Sequence, residues 1–314
     1  MLSESLNLEI WDRLIGGRPL DGLDLKTRDG LLDIRGLELP EPTVVRRFQF
    51  DKYQMAQVEP GAVLQKIKWR NLDLSESKLS GMRLMRGQIE NCRFDDCAMQ
   101  DVRIWATSIR DSSFRGANLR GSMLGGVQDG MRNTFVGVDF SEADLRQTSY
   151  TAAAFERCLF RQTKLVRIDF ETSTFVDCRF EGEINDVIFY RHGFEGAQFP
   201  PNEMVNVDFT EARLRHVGFR RLTLDHVQLP NDEEHIVLKN FAVTLDQITA
   251  TLEQSGDALA KKLVAFIGIR RKWALPNQAQ GVINVTDLRE VVGEEGVKRF
   301  LAAIPSGVRV GHGG

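Results

Sequence analysis

The chain has 314 residues, 42% hydrophobic and 27% charged, with a formal net charge of −3. No apolar run approaches the roughly 18 residues of a membrane helix, so no membrane span is indicated. Residues 44–230 hold 25 acidic and 26 basic side chains, and residues 231–314 hold ten of each; only residues 1–43 lean acidic, with nine against five. That balance gives a nucleic-acid partner no support.

The first residues, MLSESLNLEIWDRLIGG, lack the basic start and apolar core of a secretory signal, and a cytoplasmic protein is expected. LNLEIWDRLI reads as a short helix stopped by Gly16 and Gly17. Small–large apolar pairs follow at Leu23/Leu25, Leu32/Ile34, Leu37/Leu39, Phe48/Phe50 and Tyr53/Met55. Residues 1–61 are therefore expected to be an N-terminal cap with degenerate repeats, since an open solenoid end exposes strand edges and core.

From Leu64 a large apolar residue recurs every fifth position: Leu64, Trp69, Leu74, Leu79, Leu84, Ile89, Phe94 and onward to Leu124. The series resumes from Phe135 to Phe180 and again from Phe189 to Leu229. Two residues before each centre sits a smaller one, such as Ala117, Ala143 or Cys158, and the other three places are mostly polar. Neither a helix nor a strand has a period of five, so the repeat itself sets the architecture.

Two faults interrupt the period. Leu124 to Phe135 is eleven residues, which reads as a bulged corner over 125–134 absorbing one extra residue. Phe180 to Phe189 is nine, which reads as a four-residue side over 181–188 centred on Ile184. The Gly-rich first fault carries neither GxxxxGK[ST] nor GxGxxG.

All four cysteines, Cys92, Cys97, Cys158 and Cys178, fall at the small inward position and are expected to be inert, reduced core thiols. His192 falls at the same position, as a buried base or as a large residue tolerated beside the fault; Asn133 and Asn202 share that place next to irregular stretches. No HExxH, GxSxG or Cys–His constellation appears, so a non-catalytic protein with no cofactor and no metal is expected.

The period stops near Pro230, and residues 231–314 read as an α-helical module. TLDQITATLEQ has Thr244 and Gln247 at capping-box spacing with Leu245, Ile248 and Leu252 on one face. The next amphipathic helix turns Leu259, Leu263, Phe266 and Ile267 inward, with Ile269 at the margin, and stops at Pro276. Thr286 is expected to cap a further helix that Gly293 breaks, and SGVRVGHGG to form a frayed tail.

GANLR around Leu119 and EADLR around Leu145 resemble the A(D/N)LXX consensus of the pentapeptide repeat family, and the resemblance extends in degenerate form over residues 62–230. It implies an all-β solenoid, a right-handed quadrilateral β-helix with four repeats per turn and about eight turns, followed here by the small helical module. Residues 20 apart would then stack, giving internal ladders Phe135/Phe155/Phe175 and Phe140/Phe160/Phe180.

On one face of that geometry the outward places include Arg83, Met85, Arg86, Arg103 and Trp105, the residue types of a protein-binding hot spot. A second basic cluster, Arg213, Arg215, Arg220 and Arg221, lies where it can pair with the helical module. The expected function is a non-catalytic protein–protein interaction scaffold or adaptor with a protein partner, able to dimerise through an end cap or the C-terminal module. The alternative that the resemblance implies is a DNA-mimicking protein that binds and protects gyrase, of the quinolone-resistance type, against which the near-neutral coil weighs.

Overall fold

The computed structural model describes residues 2–39, 44–50, 53–59, 63–192 and 199–310, with the backbone alone for 44–50, 53–59 and 63. The Phe48/Phe50 and Tyr53/Met55 side chains, Phe194 and His312 lie outside the described residues. Contacts group the chain into two compact units, Met1–Lys164 and Leu165–Gly314.

In the first unit the five-residue period is a backbone habit. Two residues after each centre the chain takes a left-handed conformation, as at Lys66, Asn71, Asn91, Asp96 and Asp101, with φ between 49° and 57°. Asn and Asp tolerate that region best, and Gly81, Gly116 and Gly121 fill the same place. A short extended side followed by this corner bends the chain every five residues. Parallel pairing then sets Leu64 beside Leu84, Trp69 beside Ile89, and Ile89 beside Ile109, a coil of 20 residues. The result is a parallel β-helix whose centres from Leu64 to Leu124 are at most 2% exposed.

The inward small position carries polarity for a reason. Ser77, Thr107, Ser112 and Ser122 each accept the backbone N–H of the inward residue one coil earlier, at Leu37, Gly87, Cys92 and Val102. A corner N–H that would be unpaired in the core is thereby satisfied. All four cysteines are buried and free. Between the coils the aromatic centres stack face to face: Phe94 on Phe114 at 4.8 Å, Phe135 on Phe155 at 5.0 Å and Phe140 on Phe160 at 5.2 Å.

Helix α1, Glu4–Ile15, covers the first coil of this unit. Its Ser3 cap accepts the Leu6 N–H, and Ile10, Trp11 and Leu14 face inward. Asn7 imitates a neighbouring strand, its side chain both accepting from and donating to the backbone of Glu38 at 2.8 Å. Coil structure does begin before residue 62: strand Leu31–Asp33 lies parallel to Leu72–Asp73, and Glu38 bridges Lys78. The offset there is 40 rather than 20, because an antiparallel hairpin, Val44–Phe50 with Tyr53–Glu59, is inserted between.

The fault at 125–134 is not a bulged corner. Ile109 pairs with Phe135, a coil of 26 residues, so six residues are extra. They form a β-hairpin, Val127–Gln128 with Met131–Arg132. Its turn residues Asp129 and Gly130 have φ of 51° and 72°, as a two-residue type I′ turn requires.

In the second unit the nine-residue fault is a one-residue deletion inside a continuous strand, Arg179–Tyr190, which lies parallel to Leu165–Phe170 at an offset of 19. Ile184 is buried there. The following coil is long instead: Phe189 pairs with Phe219, 30 residues on. Phe180 stacks on Phe209 at 4.7 Å, and Phe189 on Phe219 at 5.5 Å.

Beyond Pro230, strand His235–Lys239 pairs antiparallel with Gln280–Asn284. Around them pack α2 (Phe241–Glu253), α3 (Ala258–Trp273) and α4 (Val285–Ala302), which Gly293 kinks at φ 69°. Leu238, Leu245, Ile248, Leu263, Ile267, Leu288 and Phe300 form one core. Gly281 admits the Phe241 ring, since a Cβ there would stand 2.4 Å from it.

Three expectations need correction here. α2 starts three residues before Thr244, whose hydroxyl donates to the Lys239 carbonyl instead of capping. The cap of α4 is Asn284, accepting from the Asp287 N–H, rather than Thr286. The tail is not frayed as far as residue 310, for Lys239 donates to Val308 and Val310 donates to Val237.

Candidate functional site

Arg83, Met85, Arg103 and Trp105 lie on adjacent parallel strands, with Arg103 beside Arg83 and Trp105 beside Met85. Arg86 follows at the left-handed corner. Arg86 and Arg103 are exposed, whereas Arg83, Met85 and Trp105 are half-buried. Arg83 is spent on the backbone, donating to the carbonyls of Gly81 and Asp101 at 2.6 and 2.7 Å. Its burial, and then the neighbouring Arg103 charge, push its pKa down.

Trp105 is partly covered by the hairpin. Gly126, at the hairpin's base, faces the indole with no side chain: a Cβ there would stand 3.4 Å from Cδ1. Arg86 pairs with Asp129 at the hairpin tip. Asn133 seals the hairpin's return: its Nδ2 donates to the carbonyls of Ile104 and Leu124 at 2.6 and 3.0 Å, while its Oδ1 accepts the Thr107 N–H at 2.9 Å. The anchored hairpin leaves Val127 and Met131 39% and 45% exposed. This feature was missed in the sequence, although Asp-Gly between extended residues is a strong hairpin signal.

Asn202 does comparable work at the long coil of the second unit, accepting from the Phe175 and Met204 N–H groups and donating to the Tyr190 carbonyl. His192, close by, is exposed rather than inward. The displaced register of the long coil removes it from the position that the unbroken period would give it.

The helical module of the second unit supplies the backbone partners that the last coil lacks. His235 is buried; its Nε2 accepts the Leu214 N–H at 3.0 Å and its Nδ1 faces Asp232 at 2.8 Å. Asp287 accepts the His216 N–H at 2.8 Å and the Arg215 Nε–H at 3.0 Å. Gln280 donates to the carbonyls of Leu224 and Val227. Arg213 pairs with Glu234, so that half of the basic cluster is held by the module.

His216, Asp287 and Glu290 bring ligand atoms within 4.8 Å of one another, among the described residues. The Arg215 guanidinium already contacts both carboxylates, so a cation stands where a metal would be needed. Beside this cluster a cleft of about 340 Å³ opens between the last coil and the helices, walled by Ile188, Phe219, Leu224, Phe241, Phe266 and Trp273. Burial pushes the thiols of Cys92 and Cys97 up to about 11 and about 12, away from any nucleophilic use.

No helix among the described residues is long and apolar enough to cross a membrane. No family model and no curated relative matches the chain. Among solved structures it is similar to full-length QnrB1, a plasmid-mediated fluoroquinolone resistance protein: 15% identity over 53% of this chain and 81% of that one, TM-score 0.30. It is also similar to Rfr23, a pentapeptide repeat protein of the cyanobacterium Cyanothece 51142, at 16% identity over 41% and 87% of the two chains, TM-score 0.21. HetL of Nostoc sp. strain PCC 7120, a pentapeptide repeat protein involved in heterocyst differentiation regulation, gives 13% identity over 53% and 82%, TM-score 0.18. By its own five-residue period and 20-residue register, the chain builds a parallel β-helix of pentapeptide repeats.

Proposed function

We propose that this chain is a non-catalytic protein-interaction scaffold, and that its contact surface is the face of Arg86, Arg103, Met85 and Trp105 together with the hairpin raised on it. We read its coils as right-handed and four-sided, with one pentapeptide per side. The observation that carries the functional reading is the exposure of Val127 and Met131 on a hairpin anchored at both base and tip. A soluble chain gains nothing in stability from two apolar side chains held in water, whereas a partner that covers them gains their burial. Half-buried Trp and Met beside exposed Arg supply the rest of a hot spot. The complementary partner is a protein with an apolar centre rimmed by acidic side chains.

The topoisomerase alternative requires an anionic surface, and residues 44–230 carry 26 basic against 25 acidic side chains. The test is affinity capture from native lysate with the intact protein and with the double variant Val127→Asp, Met131→Asp. A partner held by the intact protein and lost by the folded variant supports the reading. An unchanged set of captured proteins removes the hairpin from it, and protection of gyrase in a supercoiling assay would transfer the function to the alternative.

A further inference from the structure

The cleft in the second unit has aromatic and aliphatic walls and two guanidinium groups without a carboxylate partner. Arg270 lies at the end of α3 with its guanidinium carbon 3.5 Å from the centre of the Phe266 ring, and its side chain donates to the Phe266 carbonyl. Arg220 lies 4.4 Å over Trp273 and 5.0 Å over Tyr190, donating to the Tyr190 hydroxyl at 2.7 Å. Neither makes an ion pair within 4.0 Å among the described residues; Asp169 and Asp287 act on them only at longer range. The acids that line the cleft, Asp287 and Glu290, are engaged by Arg215 and face His216. Arg215, which stands outside the cleft lining, pairs with both of these acids, so Arg220 and Arg270 are the lining cations that no ion pair within 4.0 Å engages among the described residues. Burial pushes Arg270 down to about 10, and the Asp287 charge offsets only part of that push.

We propose that this cleft binds a small apolar carboxylate, its tail among Phe219, Phe241, Phe266 and Trp273 and its carboxylate between Arg220 and Arg270. A planar carboxylate matches the guanidinium fork, and the site offers both the hydrophobic wall and the few convergent polar groups of a ligand pocket. The volume of about 340 Å³ holds about eleven waters at roughly 30 Å³ each, which suits a ligand of about a dozen heavy atoms. Ile269 and Val291, 65% and 52% exposed, line the mouth and extend its apolar surface.

The test titrates the full chain with decanoate, decanol and decyltrimethylammonium, read by calorimetry and by Trp fluorescence. Decanoate is expected to bind saturably and at least tenfold more tightly than decanol, with the cation weakest. Arg220→Gln with Arg270→Gln should abolish the preference for decanoate over decanol. Ile269→Glu changes an exposed residue and should leave the fold intact; it should weaken decanoate at least fivefold and strengthen the cation. No saturable decanoate binding, equal binding of decanol, or an Ile269→Glu variant whose affinities for decanoate and the cation are unchanged would each overturn the proposal.

Discussion

The Asn133 side chain accepts the backbone N–H of Thr107 at 2.9 Å, taking the place that Ser or Thr hydroxyls hold on other coils. Its amide also returns two hydrogen bonds to carbonyls at the hairpin's base. A longer, two-sided side chain is needed because the hairpin carries the backbone away from the coil, leaving buried carbonyls without a strand neighbour. Replacing Asn133 by Leu should therefore cost about 2–3 kcal/mol, the loss expected when buried polar groups are left unpaired. Urea unfolding of the full chain measures it; a loss below about 0.5 kcal/mol would mean that water replaces the amide.

Arg215 and Asp287 form a buried ion pair between the last coil and α4, with the carboxylate 7% exposed. Removing the cation leaves that carboxylate with the His216 N–H bond and the His216 ring beside it, and Arg215→Ala should destabilise the second unit by about 3 kcal/mol. His235→Ala should cost about 1–2 kcal/mol through the Leu214 N–H that it frees. Hydrogen exchange at Leu214 and His216 would show whether the loss is local to this edge.

The core thiols should be silent. With Cys92 near 11 and Cys97 near 12, about one molecule in a thousand or fewer carries either thiolate at pH 8, and both sulfurs are buried. Ellman's reagent at pH 8 should label neither in the native protein and all four cysteines in denaturant. Rapid native labelling of Cys92 would contradict this packing.

Asp144 supplies an acid-sensitive element. Its carboxylate accepts from the Arg146 side chain at 2.5 and 2.9 Å and from the Arg146 N–H, which holds its pKa below the ordinary 3.8. A carboxylate depressed in the folded state stabilises fully above its unfolded value, and that contribution is lost as pH falls through the folded one. Asp144→Asn should thus lower stability at pH 7 and flatten the acid limb of the stability curve below about pH 4, as thermal unfolding across pH would record.

The legibility of this fold in its sequence depends on arithmetic modulo five. Insertions of six residues at the hairpin and a deletion of one at Ile184 shift the phase of the apolar centres, and both show in the sequence as broken spacing. The 20 extra residues around 44–59 and the ten extra residues between Phe189 and Phe219 are multiples of five. They leave the period intact, so Phe199 keeps phase while only half-buried, and His192 reads as inward while exposed. The residues of the proposed contact face were legible as neighbours, because Trp105 and Met85 are 20 apart. Their place beside the hairpin's base was not, since Gly126 faces the Trp105 indole without a side chain to announce it. The cleft of the second unit was equally hidden: Arg220 and Trp273 meet only through the packing of α3 on the last coil.

The most direct test of the scaffold reading is site-specific photo-crosslinking in cells from Met131, with Arg70 as an exposed control on another strand of the same unit. A photoreactive phenylalanine at 131 should give a discrete crosslinked protein that is absent from 70 and is lost when Arg86 and Arg103 are both changed to Glu. The same products from both positions, or none from 131, would contradict a partner surface centred on the hairpin.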